Sequence, residues 1–325
     1  MIVIPVCHCF DNRYVLPAAV SFYSMLKNAN QKHHYALYVL HTDITMQNQK
    51  ELQNIVAGFA NASLEFIQMN GRFKELFNST KSKNHYSKEM FYKFCPPSLF
   101  PQYDKILISD VDVVWEGDIS TLFFEDISNE YLAGSKGMVK KGCWVEHYLE
   151  DNYKDFSTQD RKKLLVGAGL LLYNLAKMRA DNLEQKFIEA ANTYAQQVKQ
   201  PEQDILNLVC WPHIKIFPAN ALVCNYAYEY YPDEASALQD LYYKKEEILF
   251  ALQSPIQLHY AGPQKPWQNI DCVKSERWFY YLMQTPFAQK FLTSLQEKIS
   301  SRTKTILTVN LFHRKFTLNK LKEKK

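Results

Sequence analysis

The chain has 325 residues, 47% hydrophobic and 22% charged, and a formal net charge of +4. That balance excludes a disordered chain and leaves room for one large or two small domains with a sizeable core. Its seven cysteines, Cys7, Cys9, Cys95, Cys143, Cys210, Cys224 and Cys272, are scattered and contain no CxxC pair, which argues against a zinc site or a disulfide framework and for a reducing, cytoplasmic setting.

The apolar start, residues 1–6, lacks a basic flank and a small-residue cleavage site, so 2–6 reads as a buried strand and not as a signal peptide. No stretch reaches the length of a membrane span. A helix is expected over 17–30, with Pro17 in its first turn and Val20, Tyr23 and Leu26 on one face. A strand at 35–40 follows, then a helix capped by Thr45 and running to about residue 59, then a strand at 64–68. Residues 87–94 look helical and stop at Pro96-Pro97. The run 105–109 is apolar at successive positions, as in a parallel strand buried on both faces, and 168–175 repeats the pattern. Leu183, Phe187, Ala191 and Tyr194 then form a helical stripe. This alternation predicts an α/β fold, a mainly parallel sheet flanked by helices. One catalytic domain is expected over 1–270, followed by a helical, basic appendage over 271–325.

Asp110-Val111-Asp112 stands where the 105–109 strand ends. Ligands of open α/β sheets bind beyond the carboxyl ends of strands, and alternation puts both carboxylates on one side of the chain. Two such groups repel unless a cation sits beside them, and a divalent ion bridging to a diphosphate would supply it. The run 106–114 also fits the hydrophobic-DxD signature of haloacid-dehalogenase-type phosphatases, in which the first Asp is a nucleophile and the second a general acid. That chemistry needs a later acidic pair for magnesium, and no Asp-Asp pair follows in the sequence.

A second motif runs from His259 to Trp267, HYAGPQKPW, after a strand-like segment at 256–258 in which Ile256 and Leu258 are apolar. His259 offers an imidazole to a metal. Gly262 lets backbone approach phosphates without a Cβ, and Lys265 is a compact charge for phosphate oxygens.

Taken together, the motifs show that the chain resembles glycosyltransferase family 8, in particular the bacterial enzymes that extend lipopolysaccharide with glucose or galactose. The resemblance runs through FDNRY at 10–14, Val20 and Ser24, the DxD, GAGLLLYNL at 167–175, EQDILN at 202–207 and the HxxGxxKPW motif. It implies a GT-A fold, a UDP-sugar donor, a lipid-linked oligosaccharide acceptor and Mn²⁺, with Mg²⁺ as second choice, held by Asp110, Asp112 and His259. It implies donor contacts from Cys9, Asp11, Tyr14, Lys93, Asp110, Val111, Asp112, Gly167, Ala168, Gly169, Glu202, Gln203, Gly262 and Lys265. Catalytic roles fall to Gln203, near the anomeric carbon, and to Asp112 and Lys265, with configuration retained. Four positions depart from the family: Lys93 stands for an arginine, Gly137 for an aspartate, Gly167 for an asparagine and Glu202 for an aspartate. They surround the sugar and not the nucleotide. The alternative reading is a sugar-nucleotide-binding protein at the membrane in which these changes have disabled transfer.

From Lys298 to Lys325 nine basic residues face one acid, Glu323, interleaved with apolar positions such as Leu311, Phe312, Phe316 and Leu318. This reads as an anchor on an anionic leaflet, peripheral to the inner membrane. The basic charge is confined to the tail without a nucleic-acid motif, so no nucleic-acid partner is expected.

Overall fold

A computed structural model describes residues 1–81, 87–142, 148 and 150–297. Among the described residues ten strands form two sheets: β1 Ile2–Cys9, β2 His33–His41, β3 Ala62–Gln68, β4 Lys105–Ser109, β5 Val113–Trp115, β6 Leu132–Lys136, β7 Val166–Asn174, β8 Ile214–Ile216, β9 Leu222–Cys224 and β10 Gln257–His259. The large sheet has the order β3-β2-β1-β4-β7-β6-β8, and β5-β10-β9 make a small one. The large sheet is parallel from β3 through β1 to β4 and again between β6 and β8.

β7 runs antiparallel to both β4 and β6, against the expectation that it repeats β4 as a parallel strand. The apolar run correctly signals burial on both faces. Leu107 and Leu172 face a core that includes Phe22, Trp115 and Trp278, whereas Ile106, Ile108 and Tyr173 face one that includes Phe94 and Phe187. Two covered faces give the same sequence pattern whichever way the strand points.

Thr45 caps the helix Met46–Val56, its hydroxyl accepting from Asn48 N–H. Residues Lys88–Phe94 are a 3₁₀ helix, and Pro96-Pro97 do not end helical structure but open a further turn, Pro96–Leu99. Proline suits that first position, where its missing N–H is not needed.

The segment after residue 270 begins by packing into the main core. Helix Ser275–Leu282 buries Trp278 completely, with its ring 5.7 Å from Trp267 and 5.9 Å from Phe291. Trp278→Ala should destabilise the protein by about 3–5 kcal/mol through the cavity it leaves. Urea unfolding measures this, and an unchanged midpoint would show that the helix is peripheral. The basic tail from Lys298 onward lies outside the described residues.

Candidate active site

Asp110 and Asp112 are held by backbone ties on both sides. Asp110 N–H donates to Gly169 O at 3.0 Å, and Tyr260 N–H donates to Asp112 O at 2.9 Å. The DxD segment is thereby clamped between β7 and β10. Beneath it, Ser109 O accepts from buried His8 Nδ1 at 2.9 Å, and Ser109 Oγ accepts from Gln257 Nε2 at 2.9 Å. Burial lowers the His8 imidazole to about 4, so it serves as a neutral strut.

β10 pairs antiparallel with β5, with His259 opposite Val113, and this folds His259 back over the DxD. His259 Nε2 lies 3.2 Å from Asp112 Oδ1 and 3.9 Å from Asp110 Oδ2. Close approach of the ring dictates Gly169, where a Cβ would meet His259 Cε1 at 2.8 Å. Gly262, at φ +79°, turns the chain in the left-handed region and brings Lys265 back to the carboxylates. Lys265 Nζ donates to Asp112 Oδ2 and to Tyr260 O, both at 2.6 Å. Trp267 packs edge-on against Tyr14, 6.0 Å between centroids, joining the motif to the N-terminal segment.

Lys93, almost fully buried, is the second cation. Its Nζ reaches Asp110 Oδ1 at 2.8 Å, Glu202 Oε1 at 3.3 Å and Ala168 O at 3.0 Å. Burial disfavours its charge, but Asp110 and Glu202 outweigh that and raise the ammonium above its ordinary value. Burial would likewise raise the Asp112 carboxyl, yet the charges of His259 and Lys265 hold it well below the usual range. Burial acts to lower the His259 imidazole, and Asp112 overrides it, pushing it up to about 10. A metal ion would compete for the nitrogen that this field keeps protonated.

The residue set fits a divalent cation. One ligand atom from each of Asp110, Asp112 and His259 lies within 4.8 Å of the others. The closest pair, at 3.2 Å, matches the roughly 3 Å between neighbouring ligands of an octahedral ion with ~2.1 Å bonds. Two carboxylates and an imidazole form a mixed oxygen–nitrogen set of the kind that holds a divalent metal.

On the other side of the site, a register shift between Gly134 and Lys136 interrupts the pairing of β7 with β6. Helix Pro201–Cys210 binds this stretch of β7 through side chains. Gln203 Oε1 accepts from Ala168 N–H at 3.0 Å, while Asn207 Oδ1 accepts from Val166 N–H at 3.0 Å and its Nδ2 donates to Val166 O at 2.7 Å. The EQDILN motif is thus stitched to the strand, with Glu202 and Gln203 on the wall of the site. Burial pushes the Asp204 carboxyl up to about 7, although Tyr153 Oη and the N–H groups of Lys199 and Gln200 all donate to its Oδ2.

These groups line one cavity of about 740 Å³. Every donor and metal residue expected from the sequence borders it except Asp11, whose carboxylate caps the Asn12–Tyr14 turn and pairs with Arg13 at 2.6 Å. The wall also carries residues that sequence reasoning did not single out, notably Arg13, Ser135, Tyr153 and Tyr242. Arg13 lay inside the quoted FDNRY segment. The others sit outside any motif, and only the fold brings them to the cavity.

The chain is similar to a putative glycosyltransferase of Haemophilus influenzae, 26% identical over 80% of this chain and 71% of the relative. It is also similar to the lipopolysaccharide 1,2-glucosyltransferase of Escherichia coli, 23% identical over 80% of this chain and 71% of the relative. Among solved structures it resembles the galactosyltransferase LgtC in complex with donor and acceptor sugar analogues, with a TM-score of 0.67 and 19% identity, covering 87% of this chain and 96% of that one. That likeness shows the GT-A fold. The sequence model of glycosyl transferase family 8 matches residues 5–271, and the chain belongs to that family.

Proposed function

We propose that this glycosyltransferase moves a hexose, glucose or galactose, from UDP to a lipopolysaccharide or oligosaccharide acceptor, with Mn²⁺ and with retention. The observation that carries the reading is the convergence of Asp110, Asp112, His259 and Lys265 on one cavity that Cys9, Tyr14, Gly262 and Gln203 also border.

Asp110, Asp112 and His259 would hold the metal, whose chemistry at this place is to neutralise the diphosphate leaving group. Lys265 adds a second positive charge there, aimed by its hydrogen bonds to Asp112 and Tyr260. Charge placed in advance where it develops is worth most in a dry site. The turn at Gly262 presents backbone to the phosphates. Gln203, its Oε1 fixed by Ala168 N–H, stands beside the anomeric carbon with its amide group oriented. Family membership removes the ground for the phosphatase reading.

A panel of UDP-sugars with Mn²⁺ tests the proposal by UDP release, and NMR of the product gives its configuration. An α-linked product from an α-linked donor is expected. A β-linked product would contradict retention, and no UDP from any donor would favour the impaired binding protein.

No helix among the described residues is long and apolar enough to cross a membrane. We place the enzyme in the cytoplasm at the inner membrane through its basic tail, each basic residue near an anionic surface adding about 1 kcal/mol. Vesicle co-sedimentation should show binding to anionic lipid that weakens with salt. Equal binding to neutral vesicles would overturn the anchor.

A further inference from the structure

We propose that the donor sugar is the 2-acetamido derivative of one of these hexoses, so that the substrate is a UDP-N-acetylhexosamine; this rests on the UDP-sugar reading above. Gly167 and Gly169 lie two apart on β7 and so face the same side of the strand. Gly169 is required by the protein itself, because a Cβ there would run into the His259 ring. Gly167 is not. A Cβ at 167 would meet only ordinary contacts, Gln203 Oε1 at 3.7 Å and Ser135 O at 3.9 Å, and at Gly137 it would meet nothing within 4 Å.

Neither residue has a positive φ that would call for glycine. Glycine inside a strand weakens it and often marks a site where a ligand comes close. Both border the cavity. Their missing side chains leave room on the wall of the sugar site.

Ser135 and Glu202, which line the same cavity, each carry a buried atom, Oγ and Oε2, without a hydrogen-bond partner among the described residues. The other Glu202 oxygen is held by Lys93. A carboxylate oxygen needs a donor, and a hydroxyl can donate to a carbonyl. An acetamido group offers an N–H, a C=O and a methyl that fills space, whereas a plain hydroxyl offers neither the carbonyl nor the methyl. Gln203, which the donor reading sets beside the anomeric carbon, is the side chain nearest to a Cβ at Gly167. The ring carbon next to the anomeric one is C2.

The test uses the full chain with Mn²⁺ and measures kcat/KM for UDP release from UDP-glucose, UDP-galactose and their two 2-acetamido counterparts. At least one acetamido donor should exceed its plain counterpart by tenfold or more. Gly167→Asn and Gly137→Asp should each shift that ratio toward the plain sugar by tenfold or more. UDP binding by calorimetry verifies that each variant retains its nucleotide site, and Gly137→Asp, with open space for its side chain, serves if the other variant does not fold. Plain donors turned over as well as acetamido ones would overturn the inference and leave the transferase intact. So would an acetamido preference that neither substitution changes. Failure of every donor would instead remove the transferase reading itself.

Discussion

Asp112→Asn should lower UDP release by roughly a thousandfold or more, which corresponds to about 4 kcal/mol of lost transition-state stabilisation. The substitution keeps the shape of the side chain and removes its charge. Asp112 is the hub of the cluster, within hydrogen-bond reach of both His259 Nε2 and Lys265 Nζ. Losing its charge weakens the metal set and releases Lys265 from its aim at the same time, so the two losses compound. His259→Ala should behave similarly. Chelation with EDTA should abolish activity in the unaltered protein, and Mn²⁺ should restore it better than Mg²⁺. Circular dichroism should show the fold intact in both variants. Full turnover in EDTA, or an Asp112→Asn enzyme within tenfold of normal, would overturn the metal assignment.

Lys265→Met should slow donor turnover by roughly a hundredfold, the range seen when one preorganised electrostatic stabiliser is removed. Methionine keeps most of the stem and its packing, so the change isolates the charge. Two consequences separate this from simple destabilisation. The loss should fall mainly on kcat, because the charge matters most as the diphosphate departs. The thermal midpoint should move much less than activity, since the lysine's hydrogen bonds, to Asp112 and to Tyr260 O, are local to the site. Near-normal kcat in the variant would show that Lys265 serves the fold and not the phosphates.

Much of this protein is legible in local sequence. Thr45 reads as a cap because its hydroxyl has one backbone donor within reach, three residues on. β4 reads as doubly buried because neighbouring side chains point to opposite faces and Ile106, Leu107 and Ile108 in succession are apolar. The HxxGxxKPW motif reads as a phosphate-side loop because its members lie eight residues apart at most, so the chemistry of His259, Gly262 and Lys265 is tied to one short turn.

Other features depend on partners that the chain meets far away. Asp112 and His259 are 147 residues apart, and only the pairing of β5 with β10 brings them to 3.2 Å. The antiparallel course of β7 is invisible in its apolar run, since burial on two faces leaves the same pattern in either direction. The register shift of β7 against β6, and the hydrogen bonds of Gln203 and Asn207 to that stretch of β7, are specified by no local rule. Trp278 reads as part of a terminal appendage until the core closes over it. By itself the sequence determined periodicity, capping and the residue types of the motifs, because each of these is settled by neighbours along the chain. Strand direction, the joining of the carboxylates to their cations, and the open wall at Gly137 and Gly167 were decided by the tertiary structure, because burial and charge pairing depend on what lies across space.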